Sequence, residues 1–185
     1  MQRKKKMVFP SATLVRRPSR HAQRGASLLE AIAYLGIAAI VVIGAVALLN
    51  SAFSSAGTNE LAEQVNAIQT GVKKLYMGQT NGYTGVSNAV LASAGVFPST
   101  VPVTGGIATN TWGGSVNVTG TGTGTFQIDY ANIPTAVCIN AVTAGGSWTS
   151  ITVNGTVEAT LPLTPTQAQT DCSAGNANTV IWTSS

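Results

Sequence analysis

From Ala26 to Leu49 the chain reads ASLLEAIAYLGIAAIVVIGAVALL, 24 positions in which Glu30 is the one charged side chain. At about 1.5 Å per residue, a helix of that length covers a hydrocarbon core of roughly 30 Å, so the stretch predicts a membrane span. After Leu49 the pattern becomes one-sided. Leu61, Val65, Ile68, Val72 and Leu75 recur at steps of four and three, with Glu60, Glu63, Gln64, Gln69, Thr70, Lys73 and Lys74 on other faces. The pattern predicts one helix from Ala26 to about Met77, apolar all round in its first half and suited in its second to lie against a sheet. Gly57, followed by Thr58-Asn59-Glu60, is the expected place for a bend or local unwinding.

Gly78 to Gly85 reads as a helix stop and loop, with Gly78, Asn81-Gly82 and Gly85 supplying left-handed backbone positions. Ser87 to Ala94 predicts a short helix with Val90, Leu91 and Ala94 on one face, ended by Gly95 and Pro98. Strands are predicted over 114–119, 125–130, 148–154, 157–161 and 179–183, between glycine-rich or Asn-Gly turns. Residues 133–142 predict a helix with Pro134 in its first turn and Gly145-Gly146 as its stop. The fold class is α+β, a long N-terminal helical spine packed on an antiparallel sheet. Three segments follow: a basic stretch over 1–25, a long helix over 26–78 (26–49 membrane-spanning, 50–78 amphipathic), and a globular α+β domain over 79–185.

Charge divides the chain at Gly25. The whole sequence carries +4, yet eight of its ten cations (Arg3, Lys4, Lys5, Lys6, Arg16, Arg17, Arg20 and Arg24) and its one histidine, His21, precede that glycine. Beyond it, two cations, Lys73 and Lys74, face six acids: Glu30, Glu60, Glu63, Asp129, Glu158 and Asp171. Clustered cations bind phosphate, but no aromatic or groove-reading module accompanies these. Placed directly before an apolar span, they hold that end in the cytoplasm by the positive-inside rule, and no nucleic-acid partner is expected.

That orientation exports Cys138 and Cys172, the two cysteines of the chain, to a compartment where disulfides persist, and a disulfide between them is expected. With no histidine beyond Gly25, two thiolates alone make a poor zinc site, so no metal or other cofactor is expected. Asp129 and Asp171 form a carboxylate pair by composition only. Their spacing indicates nothing, and with no histidine to serve as base a catalytic residue set is absent, against a signal-anchored periplasmic enzyme. Asn117-Val118-Thr119 matches a glycosylation acceptor and is read as chance. Two readings of Glu30 stand at this point. It is a snorkelling acid at the edge of an ordinary signal anchor, or a carboxylate that requires a partner.

The run Gly25, Ala26, Ser27-Leu28-Leu29, Glu30 and then an apolar stretch, behind a basic leader, resembles the class III signal of type IV pilins. Secretory signals are cut after their apolar run, not before it. The resemblance implies that a prepilin peptidase cuts between Gly25 and Ala26, that the new amine of Ala26 is methylated, and that Glu30 pairs with Ala26 of a neighbouring subunit. Further landmarks follow in order: residues 91–98 (LASAGVFP), 110–114 (NTWGG), 126–130 (FQIDY), Ile133-Pro134 ahead of Cys138, and Cys172 ahead of Ile181-Trp182. Together with the 25-residue leader and a first mature residue other than phenylalanine, they are similar to type IVb pilins of conjugative plasmids and enteric pathogens. Ala31 after Glu30 departs from the glutamate-tyrosine pair of the small tight-adherence pilins.

The resemblance implies a pilus subunit that enters the inner membrane with its leader cytoplasmic and its C-terminal domain periplasmic. The assembly machinery then builds it into an extracellular helical homopolymer for adherence, aggregation or conjugative mating at a host or recipient surface. A minor pilin or a type II secretion pseudopilin shares the cleavage site and Glu30. A major pseudopilin usually carries a calcium loop in place of a disulfide, and the C-terminal region here lacks the acidic cluster such a loop needs.

Overall fold

The structure is a computed structural model that describes residues 27–185, so Gly25, Ala26 and the basic leader lie outside the described residues. The chain divides into two compact units between Gly44 and Ala45. One helix, α1 (Leu28–Tyr76), begins in the first unit and ends in the second. In the first unit every described side chain from Ser27 to Gly44 is exposed.

The second unit is a seven-stranded antiparallel sheet with α1 packed on one face. After α1 come α2 (Asn88–Ser93), β1 (Val103–Thr104), β2 (Ile107–Thr109), β3 (Ser115–Gly120) and β4 (Phe126–Ile133). Then follow α3 (Thr135–Thr143), β5 (Ser150–Val153), β6 (Thr156–Glu158), α4 (Pro165–Asp171) and β7 (Asn178–Ser184). The spatial order is β1-β2-β3-β4-β7-β5-β6, so the C-terminal strand enters the middle of the sheet. Alternation puts Val116, Val118, Phe126, Ile128, Tyr130, Ile151, Val153, Val180 and Trp182 on the buried face. There they meet Leu61, Val65, Ile68 and Val72 of α1 in one core.

Several expectations need correction. Gly57 stays within uninterrupted α-helix. A Cβ there would lie 3.0 Å from the Trp112 ring and 3.3 Å from a Val137 methyl, so the missing side chain serves close approach and not unwinding. Leu75 and Val90 are exposed, while Gln64 and Gln69 are buried. Ile133 belongs to β4, beyond an irregularity after Tyr130, and Pro134 is the N-cap of α3 and not a first-turn residue. The β1–β2 hairpin and α4 were outside the predicted elements. The hairpin turns on Gly105 and Gly106, both at positive φ, and α4 starts with a Thr164–Gln167 capping box and Pro165.

Cys138 in α3 and Cys172 at the C-cap of α4 are joined by a disulfide with a Cα–Cα distance of 5.9 Å. Beside it, the buried Asn178 side chain donates to the carbonyls of Ile133 (3.0 Å) and Gly175 (2.8 Å) and accepts from Ala174 N–H and Asn154 Nδ2, each at 2.9 Å. One side chain thus satisfies backbone groups of β4 and of the loop into β7, which burial would otherwise leave unpaired.

Candidate assembly surface

Of the residues singled out at this end of the chain, Glu30 is among those described. Ser27 precedes α1, and its carbonyl accepts from Glu30 N–H (2.9 Å) and Ala31 N–H (3.1 Å), while its hydroxyl accepts from Glu30 N–H at 3.3 Å. This is the Ser-x-x-Glu spacing of a helix start, and it places the Glu30 carboxylate in the first turn, where the helix dipole favours negative charge. From Leu28 to Phe53 the side chains are exposed all round the helix. Gly36 and Gly44 leave open space, with no atom within 4 Å of where a Cβ would be. The helix is long and apolar enough to cross a membrane. An unpartnered apolar cylinder of this kind is stable only in lipid or against other apolar surfaces.

In the second unit the 110–114 landmark has a physical reason. Asn110 folds its loop by accepting from Trp112 N–H (3.0 Å) and Gly114 N–H (2.9 Å) and by donating to the Ala131 carbonyl at 2.7 Å. A Cβ at Gly114 would collide with that same carbonyl. The loop so held presses Trp112 onto Gly57 and brings the Thr111 hydroxyl to Glu60, which also accepts from Gln64 Nε2 at 3.0 Å. Burial, and then the negative charge of Glu60, push the Tyr130 phenol above its ordinary range.

The two aspartates do not act as a pair. Asp129 lies on the outer face of β4, opposite Asn117 and Ile181, and burial alone raises its carboxyl. Asp171 ends α4, beside the disulfide, and its carbonyl accepts from Asn154 Nδ2 at 2.7 Å. Among the described residues no group of three or more His, Cys, Asp or Glu side chains could hold a metal ion. The burial of Gln64 and Gln69 escaped sequence reading, because the acceptors they meet outside the helix, Thr100 O, Ser147 O and Ser184 Oγ, lie far along the chain.

The family described as PilS N terminal matches residues 55–185. Two major structural subunits of bundle-forming pilus, from two strains of Escherichia coli, are each 26% identical over 125 residues. Those matches cover 65% of this chain and 64% of each relative, so the chain spans just under two thirds of the curated relatives' length. The crystal structure of a type IV b pilin from Salmonella typhi superimposes with a TM-score of 0.56 at 22% identity, over 65% of this chain and 95% of that one. The chain belongs to the PilS N-terminal family and is built on the type IVb pilin fold.

Proposed function

We propose that this protein is the structural subunit of a type IVb pilus and has no catalytic role. The observation that carries the reading is the bare apolar first half of α1, joined to a disulfide-closed α+β unit of a pilin family. The precursor sits in the inner membrane, its basic leader cytoplasmic and its C-terminal domain periplasmic. A prepilin peptidase cuts between Gly25 and Ala26, and the new Ala26 amine is methylated. The inner-membrane machinery then draws subunits into an extracellular homopolymer, where the apolar helices exchange lipid for one another. The filament serves adherence, aggregation or conjugative mating by contact with a host or recipient cell.

In that core the Glu30 carboxylate pairs with the Ala26 amine of a neighbouring subunit. Buried charge is tolerated mainly in pairs, and such a pair sets axial register more than it adds stability. Glu30→Ala tests this role. Electron microscopy of cells making the variant should find few or no filaments although the leader is removed normally; a wild-type number of filaments would rule the register role out.

A further inference from the structure

We propose that Asn81 is a site of self-modification, where the side-chain amide is lost and a carboxylate takes its place, while the fold keeps the chemically equivalent Asn154 intact. This goes beyond the filament reading and does not rest on it. Asparagine is among the thermolabile residues, and it reacts most readily where the backbone nitrogen that follows is unshielded. Only Asn81 and Asn154 precede glycine; every other asparagine of the chain is followed by a residue whose Cβ crowds that nitrogen.

Both asparagines are exposed, so access to water does not separate them. Hydrogen bonding does. Asn154 and Gly155, at φ 49° and 90°, form the two-residue turn between β5 and β6. There the Asn154 carboxamide is fully engaged. Its Nδ2 donates to Asp171 O at 2.7 Å and to Asn178 Oδ1 at 2.9 Å, and its Oδ1 accepts from Thr179 N–H at 2.9 Å. Turning Cγ toward the Gly155 nitrogen would break all three bonds. Asn81 lies in the loop after α1, where its carbonyl accepts from Thr84 N–H at 3.2 Å but its carboxamide has no partner among the described residues. Gly82 N–H donates to Gln79 O at 3.2 Å, so reaction there requires one long bond on a surface turn to open.

The step needs only water. The Gly82 nitrogen, its proton lost to hydroxide, attacks Asn81 Cγ; the N–Cγ bond forms, the Cγ–Nδ2 bond breaks, and the amide nitrogen leaves as ammonia with a proton from solvent. Water then reopens the cyclic imide at either carbonyl, leaving residue 81 as an aspartyl or an isoaspartyl. The new carboxylate adds a seventh acid to the six beyond Gly25, in the loop that follows the helix turn bearing Lys73 and Lys74. The isoaspartyl form also lengthens the backbone where it has no slack. A Cβ on Gly82 would collide with the Thr123 carbonyl, and that carbonyl accepts from Tyr83 N–H at 3.3 Å. The modification therefore loosens the junction between the end of α1 and the β3–β4 turn.

The full wild-type chain in detergent, incubated in mildly alkaline heavy-oxygen water and then digested for peptide mass spectrometry, tests this. Heavy oxygen marks carboxylates formed during the incubation. In the native protein the Asn81 peptide should convert to a mixture of aspartyl and isoaspartyl forms, many-fold faster than the Asn154 peptide. In denaturant, with the disulfide reduced, the two should convert at similar rates. A native Asn81 as slow as Asn154, an Asn154 that stays intact even when unfolded, or an aspartyl product without its isoaspartyl partner would overturn the proposal.

Discussion

Gln69 Nε2 donates a 2.9 Å hydrogen bond to Ser184 Oγ, and both residues are buried. The same amide donates to Ser147 O at 3.1 Å, so one helix side chain binds the C-terminal strand and the loop ahead of β5. Without that amide, two acceptors lose their donor beneath the helix. Gln69→Ala should cost about 1 to 3 kcal/mol, the penalty for stranding buried polar groups. Denaturant unfolding of the full subunit in detergent, followed by circular dichroism, reads this. An unchanged midpoint would mean that water replaces the amide.

Gly57 lets α1 approach Trp112. Alanine gains about 1 kcal/mol over glycine in helix propensity, but its Cβ would need the Trp112 ring, at 3.0 Å, to give by a few tenths of an ångström. The two effects offset, and Gly57→Ala should be nearly neutral. Gly57→Leu has no such room and should destabilise by about 1 to 3 kcal/mol. The tryptophan emission spectrum reports displacement of Trp112 from its site on the helix.

The disulfide between Cys138 and Cys172 spans 34 positions and ties α3 to α4. On the chain-entropy model, replacing both cysteines with alanine should remove about 3 to 4 kcal/mol. Subunit abundance and resistance to added protease should fall together in cells making that variant. Equal abundance and resistance would show that the remaining core suffices.

Asp129 gives the unit a pH dependence of defined sign. Burial raises its carboxyl from 3.8, so the native state holds the proton more tightly than the unfolded chain does. Between those two values stability falls as pH rises, because ionising a half-buried carboxyl costs more in the folded state. The cost is absent below the unfolded value and fully present above the raised one. Asp129→Asn should flatten that part of the stability profile and leave the protein at neutral pH at least as stable as before. Unfolding midpoints measured from pH 3 to 7 for both proteins check this, and parallel profiles would contradict it.

The second half of α1 was legible because Leu61, Val65, Ile68 and Val72 each touch the same sheet, and one buried face imposes one period. Leu75 fits that period but is exposed, so periodicity alone did not tell where burial along the helix ends. β3, β4 and β7 alternate over six to eight residues and were readable within a residue or a few at each end. β1 and β2, with two and three residues, are too short to show a period, and only Gly105-Gly106 hinted at their turn. α4 buries little besides Ala168 and has no apolar stripe. Its signal was chemical, a threonine, a proline and a glutamine at capping positions. Of the candidate site, Glu30 and the apolar run stood out through one isolated charge. Glu60, one helical turn from Gln64, is a local acceptor, but the tertiary acceptors of Gln64 and Gln69 were unreadable, since nothing local in the chain points to strands and loops met only after folding.

The central claim is that the chain is cut before Ala26 and built into a surface filament. Mass spectrometry of material sheared from the cell surface, with and without the prepilin peptidase, tests it most directly by reading the amino terminus of this chain. The account predicts abundant protein beginning at Ala26, heavier by one methyl group, that vanishes from the sheared fraction without the peptidase. A chain that keeps residues 1–25, or never leaves the membrane fraction, would contradict it.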